Sequence, residues 1–176
     1  MAYIIAPDPT SENIFFDIIL DATYWDQPPK LEVLVDNESV GTYTIDQPEF
    51  HIRFRRVMSF DQPHILELRR TGKTQNQTQM LDDGTFKTQM LHIKTVKLDN
   101  IDLRNLIWHN SKFEPEYPEP WASEQRSQGI ELENPVLGEM YLGHNGAWRF
   151  TFTSPIYKFL VAWAKGTACL VLAVAG

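Results

Sequence analysis

Four aspartates, Asp82, Asp83, Asp99 and Asp102, flank a long polar stretch of the chain. Calcium takes carboxylate and carbonyl oxygens from loops without needing a fixed motif, so these four form a candidate calcium site, set against the plainer reading of solvated turn acids. A second chemistry lies in the rings. Tyr24 and Trp25 form one aromatic group, and Phe113, Tyr117 and Trp121 form another inside a proline-rich run. Rings of this kind stack on flat sugar faces, anchor protein partners, or simply pack. Trp25, Tyr117 and Trp121 are therefore expected glycan-stacking residues, and Phe113, Tyr117 and Trp121 expected partner-binding residues. Catalytic signatures are missing: the sequence holds no Gly-x-Ser-x-Gly elbow, no phosphate-cradling glycine loop and no His-Glu-x-x-His helix. The five histidines, His51, His64, His92, His109 and His144, are scattered, and each reads as a sheet-surface or turn residue. The adjacent acids could serve acid–base chemistry but read first as turn formers. The expectation is a binding protein, not an enzyme, with no cofactor except that calcium.

Such groups must be held by a scaffold, and the apolar pattern says which. Ile14, Phe16, Ile18 and Leu20 alternate with Phe15, Asp17, Ile19 and Asp21, the period of a strand. Leu31, Val33 and Val35 repeat it, and Asp36-Asn37-Glu38-Ser39 then leads into Val40 to Ile45, a hairpin signature. Phe50, Ile52 and Phe54 mark a further strand, as do His64, Leu66 and Leu68 opposite Ile65 and Glu67. Leu91 and Ile93 alternate until the phase slips at Val96 and Leu98, which predicts a bulge or a strand changing sheets. Asp99-Asn100 reads as a tight turn into Ile101, Leu103 and the run to Trp108. Short strands are expected around Ile130 to Leu132 and Glu139 to Leu142, and Trp148, Phe150 and Phe152 define the last clear one. The fold expected is all-β, a jelly-roll-like antiparallel β-sandwich with long loops and an apolar C-terminal segment.

Residues 1–109 are assigned to the sandwich core, 110–129 to an extended proline- and aromatic-rich loop, 130–166 to closing strands, and 167–176 to an apolar docking tail. The stretch 70–89 reads as a long exposed loop. Leu170, Val171, Leu172 and Val174, in a run without charge or proline, are expected to contact another subunit by strand addition. Sixteen basic against 23 acidic residues give a net charge of −7, which opposes binding to nucleic acid or anionic lipid. Two arginine groups, Arg53/Arg55/Arg56 and Arg69/Arg70, read as the solvated face of a sheet. One cysteine, Cys169, excludes an intrachain disulfide. No apolar stretch is long enough to span a bilayer, and no secretory leader is expected.

Several stretches together resemble a β-sandwich family of tailed-bacteriophage virion proteins related to calcium-dependent, xylan-type carbohydrate-binding modules. They are Leu34 to Gly41, His64 to Leu68, Arg70 to Thr74, Met90 to Leu103, and Tyr117-Pro118. Asn100 departs from the pattern, which more often has Gly in that turn. The resemblance implies a non-enzymatic virion component, in the tail, baseplate, fibre or decoration, oligomeric and in contact with other virion subunits. The alternative it implies is a carbohydrate-binding module for host surface glycan, with calcium as the associated metal.

Overall fold

Alternation in the first strand sets up the core. In the computed structural model, which describes residues 9–166, β1 (Ser11–Thr23) sends Ile14, Phe16, Ile18 and Leu20 inward, all fully buried. Then follow β2 (Lys30–Val35), β3 (Glu38–Thr44), β4 (Phe50–Ser59) and β5 (Pro63–Thr71). A 3₁₀ turn at Gln75–Gln77 precedes β6 (Thr78–Met80) and β7 (Phe86–Thr88). The chain continues through β8 (Met90–Leu98), β9 (Ile101–Asp102), α1 (Arg104–Asn110), β10 (Ser111–Glu116) and α2 (Trp121–Ser127). It closes with β11 (Val136–Leu137), β12 (Tyr141–Leu142), β13 (Asn145–Thr153) and α3 (Ile156–Ala164).

Two sheets face each other, one ordered β12-β8-β1-β4 with β9 beside β8, the other β11-β10-β13-β5-β2-β3. Their strand pairings are antiparallel throughout the described residues, so the fold is the antiparallel β-sandwich that the alternation predicts. Between the sheets lie Phe16, Ile52, Leu66, Leu68, Leu91, Ile93, Trp148, Phe150 and Phe152 in one apolar cluster. Phe16 stacks on Phe54 at 4.7 Å and meets Phe152 edge-on at 6.1 Å. Burying rings of this size supplies most of the driving force for closing the two sheets.

Turn chemistry fixes the register. Asp36 and Asn37, at φ 50° and 66°, form a two-residue hairpin turn between β2 and β3, and Asp99 and Asn100, at 48° and 63°, do the same between β8 and β9. The slip expected near Val96 is a bulge: Ile19 pairs with Thr95 but Leu20 with Ile93, leaving Lys94 as the extra residue. That one-residue step keeps Leu91, Ile93, Val96 and Leu98 all facing the core.

Several expectations are corrected. The run to Trp108 is helix α1, because Leu103, Leu106 and Ile107 bury at helical spacing against the sandwich. Residues 110–129 are not an extended loop: they contain β10, which lies between β11 and β13 in the second sheet, and α2. In β10, Ser111, Phe113 and Pro115 point inward, so Phe113 is a core residue and cannot anchor a partner. The short strand expected near Ile130 lies instead at Val136–Leu137. Within 70–89 the chain folds into a small two-stranded sheet of β6 and β7. Residues after Pro155 form helix α3, with Ile156 and Phe159 buried and the Phe159 ring edge-on to Phe150. Its first turn is capped by Glu12, whose Oε1 accepts from the Ile156 N–H and the Ser154 hydroxyl, each at 2.6 Å. The expected contact residues Leu170, Val171, Leu172 and Val174 lie outside the described residues.

Candidate functional site

Antiparallel pairing decides which loops meet. The C-terminal ends of β1, β3, β5 and β10 and the N-terminal starts of β2, β4, β8 and β13 all lie at one end of the sandwich, so the segments around Trp25, Lys73, Tyr117 and His144 converge there. The hairpin of β6 and β7 and the N-terminus of α2 belong to the same end.

Its centre is a trio of rings. Tyr117 lies 5.0 Å from His144, Trp121 lies 5.5 Å from His144, and Tyr117 and Trp121 are 6.0 Å apart, centroid to centroid. All three are half-buried. Tyr117 follows the last residue of β10, Trp121 opens α2 after Pro120, and His144 precedes β13. The Tyr117 hydroxyl donates to the Glu133 carbonyl at 2.6 Å, which fixes its ring. Burial, with the positive charges of Lys73 and Arg70 nearby, holds His144 below the usual imidazole range, so at neutral pH it presents a neutral flat ring. Burial and the charges of Glu133 and Glu139 push the Tyr117 phenol up.

A polar network adjoins the rings through Gly143 and Asn145, the neighbours of His144 in the chain. Lys73 Nζ donates to Thr88 Oγ1 at 2.7 Å and to the Gly143 carbonyl at 2.5 Å. The Asn145 amide bridges the Lys73 backbone in both directions, accepting from its N–H and donating to its carbonyl, each at 3.0 Å. Deeper still, Arg70 is 1 % exposed. Its Nη1 donates to the Leu142 carbonyl and its Nη2 to the Gln89 carbonyl at 3.0 Å and side-chain oxygen at 2.7 Å. Gln89 Nε2 in turn donates to the Gln27 carbonyl at 2.7 Å, so one cation ties three loops together. Desolvation pushes Arg70 down to about 10 and, with the Arg70 charge added, Lys73 down to about 8.

The expected site residues divide accordingly. Tyr117 and Trp121 meet, their rings tilted at 40° to one another. Trp25 is at the same end but its ring is covered by the Lys87 ammonium at 4.6 Å, so it makes no ring contact with the trio. The four aspartates do not meet. Asp82 and Asp83 sit on the exposed β6–β7 connection, where Asp83 binds the Thr85 N–H and hydroxyl. Asp99 and Asp102 lie at the opposite end, where Asp99 accepts from the Phe15 N–H and Asp102 pairs with Arg104. The reason is the length of β8: nine strand residues separate the two pairs. Among the described residues no group of three or more histidine, cysteine or acidic side chains is placed to hold a metal ion.

His144, Lys73 and Arg70 were missed as site residues. Arg70 was readable: it shares parity with His64, Leu66 and Leu68 in β5 and so belongs to the inner face, not the solvated one. His144 and Lys73 carried no signal beyond turn and loop composition. His64 also departs from the surface reading, being buried with Nδ1 2.6 Å from Asp36 Oδ2 and Nε2 2.8 Å from the Ser59 carbonyl. It borders a cavity of about 640 Å³ at the other end, lined also by His109, Lys112 and Leu137, but its ring nitrogens are both spent, one on the β2–β3 turn at Asp36 and the other on the end of β4 at Ser59.

No family model matches the sequence, and no curated protein matches it. Among solved structures, the chain is similar to vCBM60 in complex with galactobiose, at 8% identity and a TM-score of 0.48, over 77% of this chain and 96% of that one. It is also similar to the selenomethionine form of vCBM60, described with a circular permutation linking two families of calcium-dependent carbohydrate binding modules. That match has 8% identity and a TM-score of 0.47, over 78% of this chain and 89% of the other.

Proposed function

We propose that this protein is a non-catalytic binding module that takes carbohydrate at the loop end of its sandwich. The observation that carries this is the half-buried trio of Tyr117, Trp121 and His144, adjoining a network of amide, hydroxyl and ammonium groups from Asn145, Thr88 and Lys73. A sugar ring has an apolar face of C–H groups and an equatorial rim of hydroxyls, and this juxtaposition offers rings to the first and hydrogen-bond partners to the second. No group in the trio is paired with a carboxylate in the manner of a general acid or base, and the neutral His144 is surrounded by rings and cations.

The test is an oligosaccharide array followed by calorimetry on the best binder. Tyr117→Ala and Trp121→Ala are each expected to weaken binding about tenfold or more, the loss typical of a central aromatic contact. A blank array, or full affinity in both variants, would remove the proposal. The setting we propose is a phage particle, with other virion subunits as neighbours and host surface glycan as ligand. Antibody labelling of intact particles checks it, and unlabelled particles would exclude it.

A further inference from the structure

We infer that the loop-end site selects acidic sugars: the carboxylate of a uronic acid pairs with the Lys73 ammonium while its ring lies on Tyr117, Trp121 and His144. The inference rests on the carbohydrate reading above and adds the class of sugar.

It comes from a charge imbalance. Six cations have acidic partners: Arg53 with Asp17, Arg69 and Arg149 with Glu67, Lys94 with Asp21 and Glu49, Arg104 with Asp102, Arg126 with Glu119. Others rest on neutral groups singly, Arg56 on the Ser39 carbonyl, Arg55 over Phe15 and Lys87 over Trp25. Lys73 and Arg70 differ from these in lying together, with the charge of one acting on the other. Every hydrogen bond given by either ends on a neutral oxygen, from Thr88, Gly143, Leu142 or Gln89, and neither forms an ion pair among the described residues. Arg70 Nε is buried with no partner at all. Buried charge is ordinarily paired, because leaving it uncompensated costs several kcal/mol (order of magnitude). Here two like charges share one end of the sandwich, and each is left to raise the energy of the other. Their mutual repulsion shows in Lys73, which Arg70 helps to hold down at about 8.

Position turns the imbalance into selectivity. Arg70 is sealed from solvent and acts only through its field, but Lys73 is half-exposed and two of its three N–H groups are spent. The third has no hydrogen-bond acceptor among the described residues. Through Gly143, Lys73 adjoins His144, the ring that both Tyr117 and Trp121 contact. The acidic groups Glu133 and Glu139 act on Tyr117, while the charges that act on His144 are Lys73 and Arg70. An anion on the ligand therefore belongs on the His144 and Lys73 side of the rings. A charge-assisted hydrogen bond there is short and about twice as strong as the bond a neutral hydroxyl would make.

The experiment compares two probes of the same ring stereochemistry by calorimetry, an oligogalacturonate and the matching galacto-oligosaccharide, with inorganic phosphate as a third. At pH 6.5 and low salt the acidic probe should bind about tenfold tighter than the neutral one. That ratio should fall toward one in 1 M salt, as pH rises through about 8 where Lys73 gives up its proton, and in Lys73→Met. Equal or better binding of the neutral probe by the unmodified protein would overturn the inference and leave the carbohydrate reading standing. Phosphate bound as tightly as the oligogalacturonate would also overturn it, since the sugar ring would then contribute nothing. Binding of neither oligosaccharide, with an otherwise blank array, would sink both readings.

Discussion

Arg70→Met tests whether a buried cation without a carboxylate can hold three loops together. Desolvation pushes the guanidinium well below its ordinary value, to about 10. At about 1.36 kcal/mol per pH unit, burial therefore disfavours the charged folded state by about 3 kcal/mol. The group is a base with a lowered folded value, so this cost is fully present at pH 7 and fades only as pH climbs above about 10. Against it stand the bonds to the Leu142 carbonyl, the Gln89 carbonyl and the Gln89 side chain. From a charged donor each contributes about 2 kcal/mol, and their sum of roughly 6 exceeds the cost. Methionine fills a similar volume but leaves the three acceptors unpaired, so Arg70→Met should lose about 3 kcal/mol of stability. Urea unfolding followed by tryptophan fluorescence reads this directly, as a shift in midpoint at constant slope. A variant as stable as the parent, or more so, would mean that burial outweighs the carbonyl network and that Arg70 does not organise the site.

Glu67 is buried beneath Arg69 and Arg149, at 2.6 and 2.7 Å, so Arg149→Ala should cost about 2–4 kcal/mol while the exposed pair partner Arg104, changed to Ala, should cost under about 1. Equal losses in chemical denaturation would break the link to burial. Asn100 sits at φ 63°, so Asn100→Ala should cost about 1 kcal/mol, seen as a thermal midpoint about 2–4 °C lower, whereas Asn100→Gly should show no such drop. Gly146 has φ 144°, and a Cβ there would collide with the Glu114 carbonyl oxygen across the β10–β13 pairing. Gly146→Ala is expected to lose more than about 3 kcal/mol and to separate Tyr117 from His144, read as loss of both stability and glycan binding. Normal folding and binding in that variant would show that the pairing does not position the rings.

The sequence by itself determined the sandwich. Period-two alternation in β1, β2, β5 and β13 needs no tertiary knowledge, since a pleated strand puts every second residue on one face. The turns at Asp36-Asn37 and Asp99-Asn100 were readable for the same local reason: those residue types tolerate positive φ. Even the bulge at Lys94 left its mark as a phase slip. Local pattern failed where burial was borrowed from elsewhere. Phe113 lay in a proline-rich run, and only the pairing of β10 with β13 makes that run a strand. The stretch after Pro155 was apolar enough for a strand, but docking of Ile156 and Phe159 and the cap from Glu12 make it helix α3. The site was legible only in part. Tyr117 and Trp121 declared themselves as rings, whereas His144 and Lys73 lie 27 and 44 residues from Tyr117 in opposite directions along the chain. Nothing local marks either one, because what joins them to the rings is antiparallel pairing, which brings residues distant in sequence to the same end of the sheet.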